Sequence, residues 1–275
     1  NCGPPEQEIH QPDPSLDVSD GLPNSELPQF RVDPFWAREL PNNWMLGQVS
    51  GIAVDDQDHV WVLHRPRTLD ARQRGEEGMC CVAAPPVIEL DPEGNVVSFW
   101  GGPGEGYQWP TSEHGIHVDS EGFVWIGGNA PDDAHILKFT KAGEFLLQIG
   151  QQGQSRGSND TDNLGRPAGI RVDSEANEVY VADGYGNRRV IVFDSNTGTY
   201  KRHWGAYGER PEDLALPPYD PAAEPIRQYR GPVHDVAISH DGLVYVADRT
   251  NNRLQVFQKD GKFVTEVFIR PETLG

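Results

Sequence analysis

One phrase recurs four times along this chain: an alternating strand, a short turn, and a second alternating strand. It reads Gly51-Ile52-Ala53-Val54-Asp55 then Val60-Trp61-Val62, and again Gly115-Ile116-His117-Val118-Asp119 then Val124-Trp125-Ile126. It returns as Gly169-Ile170-Arg171-Val172-Asp173 then Val179-Tyr180-Val181, and as Asp235-Val236-Ala237-Ile238-Ser239 then Val244-Tyr245-Val246. A period of two around a tight turn marks an antiparallel hairpin. Each copy runs on into a third and a fourth strand, over residues 87–90 and 95–100, 136–139 and 144–149, 189–193 and 199–204, and 253–257 and 262–267. Turns such as Thr197-Gly198 and Asp260-Gly261 join the last two strands of a unit. Four strands per unit, returning about every 55 to 65 residues, describe the blades of a β-propeller. An open stack of such sheets would expose long edges.

Composition agrees with an all-β fold. Glycine (30) and proline (23) are too frequent among 275 residues for a helical protein and suit short strands joined by turns. The formal charge of −19 argues against nucleic acid or an anionic membrane as partner, because both call for a basic surface. No apolar run approaches the roughly 18 residues that span a bilayer. Residues 1–29 are rich in Pro, Asp and Glu without periodicity and read as an extended acidic tail, with the propeller blades over 30–275. Cys2, Cys80 and Cys81 make an odd number, so one disulfide plus a free thiol, a vicinal Cys80–Cys81 bridge, or an intermolecular bond through Cys2 all remain open. Asn159-Asp160-Thr161 is a glycosylation sequon. A start at Asn1 without Met reads as a processed mature chain, extracellular or periplasmic.

Two segments carry more than blade periodicity: Asp183-Gly184-Tyr185-Gly186-Asn187-Arg188-Arg189 and Asp248-Arg249-Thr250-Asn251-Asn252-Arg253. They resemble NHL repeats, in which polar residues tie the loop between second and third strands. More narrowly, Gly47 through Val54 leading to His64-Arg65, then His114-Gly115-Ile116, Asp183-Gly184-Tyr185 with Asn187 and Arg189, and Pro232-Val233-His234 resemble the peptidyl-α-hydroxyglycine α-amidating lyase family in order and approximate spacing. The likeness runs over residues 44–258. It implies cleavage of peptidyl-α-hydroxyglycine to a peptide amide and glyoxylate at the mouth of a six-bladed propeller that uses zinc and calcium. It also implies His114 and His234 as two of three zinc-binding histidines, Tyr185 as base, Arg65 as the assisting arginine, and the backbone oxygens of Ile52 and Ile116 as calcium ligands. The family's third histidine belongs to a later blade and has no counterpart here. Four blades against six imply an incomplete ring, or one completed by further residues or another chain. The partner expected is a small-molecule or peptide substrate. The alternative is a non-catalytic extracellular NHL scaffold that binds a protein partner, or itself, through propeller faces and tail.

Elementary chemistry is compatible with this assignment. Imidazole suits zinc, and catalytic zinc takes three protein ligands with one position open. Arg65 can grip a carboxylate bidentately. Trp61, Trp125 and Phe193 read as packing between blades, and Arg189 and Arg253 as structural arginines that tie loops. His64, His117, His135, His203 and His240 match no motif and read as strand or surface residues. The insertion over residues 66–84 exceeds what a hairpin needs and is a candidate cap on the channel mouth or a partner-binding loop.

Overall fold

The computed structural model describes residues 30–71, 73 and 81–269. The expected tail at 1–29, together with Cys2 and Cys80, lies outside them. Cys81 is disulfide-bonded. Residues from Ala37 onward form one compact unit.

The strands in chain order are β1 (Trp44–Met45), β2 (Gln48–Val54), β3 (Val60–Arg65), β4 (Val82–Ala83), β5 (Val87–Leu90) and β6 (Val96–Trp100). They continue with β7 (Glu113–Val118), β8 (Phe123–Gly128), β9 (His135–Thr140) and β10 (Phe145–Gly150), then β11 (Gly169–Asp173), β12 (Glu178–Asp183), β13 (Arg189–Asp194) and β14 (Tyr200–Trp204). The last are β15 (Val233–Ile238), β16 (Leu243–Asp248), β17 (Arg253–Gln258) and β18 (Phe263–Phe268). Four antiparallel four-stranded sheets result: β2-β3-β5-β6, β7-β8-β9-β10, β11-β12-β13-β14 and β15-β16-β17-β18. These are the four blades read from the sequence. A short parallel pair, β1 with β4, accompanies the first.

The recurring Asp of the first hairpin has a physical reason. Asp119 Oδ1 accepts from the backbone N–H groups of Glu121 and Phe123, while Oδ2 accepts from Trp125 Nε1 at 2.9 Å. Asp55 does the same for Gln57, His59 and Trp61. One carboxylate thus closes the turn and fixes the indole six residues on. Those indoles then fill the gaps between blades. Trp61 meets Ile116, Val118, Val124 and Ile126 between blades one and two, and Trp125 meets Ile170, Val179 and Val181 between two and three. Tyr180, Val236, Val244 and Phe257 fill the next gap.

The innermost strands β2, β7, β11 and β15 pack in succession, and no comparable packing joins β15 back to β2 among the described residues. The blades therefore form an open arc. On blade one the outward face is partly covered, since Val62, Ile88 and Leu90 are buried under Trp44, Leu46 and Ala84.

Candidate active site

The rim of the arc is built by the NHL-type loops. Asp183 ends β12 and Arg189 begins β13, both fully buried, with Arg189 Nε donating to Asp183 Oδ2 at 2.9 Å and Asn187 Nδ2 donating to the same oxygen at 2.7 Å. Asp183 Oδ1 accepts from Gly165 N, and the other guanidinium nitrogens of Arg189 donate to the carbonyls of Ser158, Asp160 and Asn163. A buried ion pair is tolerated only when its remaining hydrogen-bonding capacity is met, and here it is. Blade four repeats the device with Asp248, Asn251 and Arg253. The loop between Asp183 and Arg189 carries Tyr185. Gly184 lets it lie flat, because a Cβ there would stand 2.1 Å from Val233 N, the residue before His234.

Three residues from three blades meet at this rim. Tyr185 Oη lies 2.9 Å from His114 Nε2 and 3.0 Å from His234 Nε2, and the two imidazoles meet edge-on with centroids 5.5 Å apart. A phenol has one proton, so Tyr185 donates to one imidazole and accepts from the other. Burial, followed by the repulsion of His234 and Arg65, holds His114 down to about 4. Burial and the Arg249 guanidinium lower His234 as well, against a smaller opposing pull from Asp235. Both rings are therefore neutral near pH 7, the form that binds metals and relays protons.

Arg65 reaches the same place from blade one. Its Nε donates to the carbonyl of Glu113 at 2.7 Å, next to His114, and its Nη2 to Asn129 Oδ1 at 3.3 Å. Arg166 Nε donates to the Asn129 carbonyl at 2.9 Å, and its guanidinium carbon stands 5.8 Å from the centre of the Tyr185 ring. The Arg166 backbone is left-handed, with φ of 59°, a conformation that costs a non-glycine residue on the order of 1 kcal/mol and gathers at functional sites. Its N–H reaches Asp133 of blade two, and its carbonyl accepts from Tyr185 N of blade three.

The donor set suits a transition metal in kind: two neutral imidazoles and a phenolic oxygen converge. No third His, Cys, Asp or Glu joins His114 and His234 among the described residues. The one grouping of three such donors, Asp55, His59 and Glu89, sits at the far turn of blade one with the Lys141 ammonium 2.8 Å from Asp55. Asp235, next to His234 in sequence, turns its carboxylate to Arg171 at 3.3 Å. For calcium, Ile52 and Ile116 do lie on adjacent innermost strands. Two carbonyls fall well short of the six to eight oxygens calcium takes. In blade three the corresponding carbonyl, Ile170 O, is already capped by Arg171 Nη1 at 2.6 Å.

The structure thus brings His114, Tyr185, His234 and Arg65 together, with Ile52 and Ile116 on the adjacent strands β2 and β7. It adds Arg67, Arg166 and Asn129, which sequence reasoning passed over. The adjacency Arg65-Pro66-Arg67 held a usable signal, two cations on one rigid turn. Arg166 held none, since loop geometry alone delivers its guanidinium. Arg189 and Arg253 are loop ties as expected, and His64 and His135 are fully buried strand residues.

The NHL repeat family model matches residues 164–193 and 233–257, the two blades with the Asp-Asn-Arg tie. Among curated relatives, peptidyl-glycine alpha-amidating monooxygenase B of Xenopus laevis is 28% identical over 240 residues, 82% of this chain and 24% of its own length. A probable peptidyl-alpha-hydroxyglycine alpha-amidating lyase of Caenorhabditis elegans is 23% identical over 77% of this chain and 56% of its own. NHL repeat-containing protein 3 of Mus musculus is 26% identical over 86% of this chain and 58% of its own. The chain carries NHL repeats and resembles the amidating lyases, while spanning about a quarter of the monooxygenase and little more than half of the shorter relatives.

Proposed function

We propose that this chain is a lyase that splits peptidyl-α-hydroxyglycine into a peptide amide and glyoxylate. The observation that carries the reading is the Tyr185 hydroxyl held at once by His114 Nε2 and His234 Nε2. The similarity to amidating enzymes supports the same chemistry.

In this reading the substrate carboxylate binds the guanidinium edge of Arg65 that Glu113 and Asn129 leave free. Tyr185 takes the proton of the substrate hydroxyl as its own phenolic proton passes to the imidazole Nε2 that accepts from it, and that imidazolium protonates the leaving nitrogen. The oxygen electron pair forms the aldehyde C=O, the C–N bond breaks, and the nitrogen takes up a proton to leave as the amide. Atoms balance without oxidant or water. His114 and His234 fix the phenol and, being neutral, exchange its proton through Nε2. A zinc ion held by these two histidines would replace the proton shared at Nε2 and supply Lewis acidity at that point. The disulfide at Cys81 supports an exported protein, because such bonds persist in oxidising compartments.

Glyoxylate release from a synthetic hydroxyglycine-extended peptide, measured with zinc supplied, tests the proposal. Release well above the spontaneous rate is expected, and release at the spontaneous rate would sink it.

A further inference from the structure

The chain has 42 acidic and 23 basic side chains, so a cluster of arginines without carboxylate partners calls for a reason. Arg156, Arg171, Arg189, Arg202, Arg227 and Arg253 all have one. Other arginines have none within 4 Å among the described residues, and of these Arg65, Arg67 and Arg166 converge on one patch. Arg67 Nη2 donates to Ser112 Oγ at 2.6 Å, Arg65 Nε to Glu113 O, and Arg166 Nε to Asn129 O. Asn129 N in turn donates to Ser112 O, which draws the three acceptors together where β7 begins and β8 ends. Every hydrogen-bond partner named is neutral, and no carboxylate of the described residues forms an ion pair with any of the three, which lie beside the His114–Tyr185–His234 cluster.

Among the described residues the one acid in the patch, Glu113, offsets at most one of the three charges. Glu113 is buried, its Oε1 accepts from Trp109 Nε1, and its Oε2 has no hydrogen-bond partner. A single terminal carboxylate needs one guanidinium. Two more remain.

We infer that the site selects substrates with two negative charges, the terminal carboxylate bound by Arg65 and a second carboxylate, on the side chain of the preceding residue, bound by Arg67 and Arg166. The inference rests on the lyase reading for its substrate and adds to it the class of peptide preferred, one with Asp or Glu before the hydroxyglycine. A charge-assisted hydrogen bond is worth about 1.5–3 kcal/mol, so the acidic peptide should be favoured by about tenfold or more.

The test compares peptides ending in Glu-hydroxyglycine and Gln-hydroxyglycine with the wild-type chain, Arg67→Gln and Arg166→Gln. The wild type should show kcat/KM at least about tenfold higher for Glu, and each variant a smaller ratio, near twofold. Equal rates in the wild type, or an undiminished preference in both variants, would overturn the inference and leave the lyase reading standing. If neither peptide turns over, the lyase reading fails. Calorimetry with the unreactive N-acetyl-Glu-Gly and N-acetyl-Gln-Gly then decides the charge preference by itself. Tighter binding of the Glu peptide, weakened in Arg166→Gln, supports it, and equal affinities overturn it.

Discussion

Tyr185 of blade three places its hydroxyl 2.9 Å from Nε2 of His114 of blade two, a residue 71 positions earlier in the chain. That one contact, doubled by His234, couples three blades through a single exchangeable proton. The chemistry of the rim therefore depends on the angle between sheets as much as on side-chain identity.

Removing the hydroxyl alone should separate chemistry from folding. Tyr185→Phe keeps the ring beneath Arg166 and is expected to lower kcat by about 10²–10⁴-fold, the usual span for a lost acid–base group, with KM changed only a few-fold. Steady-state kinetics on the hydroxyglycine peptide check this. A kcat within tenfold of wild type would remove Tyr185 from the proton path.

Metal analysis by mass spectrometry should find close to one zinc per chain after purification with zinc present. Dialysis against a chelator should remove metal and activity together, and zinc should restore both. His114→Ala and His234→Ala should each bind at least about tenfold more weakly, since each deletes one of few ligands. Full zinc occupancy in both variants would place the metal elsewhere.

The buried and exposed ion pairs should behave very differently. Arg189→Met strands the fully buried Asp183 carboxylate and is expected to cost about 3–5 kcal/mol in urea unfolding. Arg227→Met breaks a pair whose side chains are 63% and 45% exposed and should cost no more than about 1 kcal/mol. Equal losses would mean that the Asp183–Arg189 tie does not hold the loop.

His117 gives the fold a sign-definite pH response. Burial, then the Arg171 charge, holds its pKa down to about 3 from an ordinary 6.5. Above 6.5 it is neutral whether folded or unfolded. Between 6.5 and 3 only the unfolded chain takes the proton, so stability falls as pH falls, by at most about 1.4 kcal/mol per pH unit. Urea midpoints between pH 7 and pH 5 should drop in the wild type and drop less in His117→Gln. Identical slopes would refute the assignment.

The blades were legible because their signal is local. The six-residue spacing of Asp119 and Trp125 encodes a turn and a packed indole in one phrase, and it recurs with Asp55 and Trp61. His114, Tyr185 and His234 were legible because each sits at a repeated station of a blade, and such stations converge wherever blades fan about a common centre. Arg166 was opaque for the opposite reason. Its place depends on a left-handed backbone turn and on Asp133, in the loop between β8 and β9, neither of which leaves a period or a motif. Likewise the clustering of Arg65, Arg67 and Arg166 is invisible until distances show that no carboxylate of the described residues forms an ion pair with them.

The Asp183–Arg189 tie brackets Tyr185 with two fully buried residues, one two positions before it and one four positions after, and Gly184 presses the loop against β15. The phenol accordingly spends its conformational freedom when the chain folds, not when substrate arrives. In the proposed reaction the base is then already aimed before substrate binds, and loosening the tie should slow turnover even with every reacting group still present.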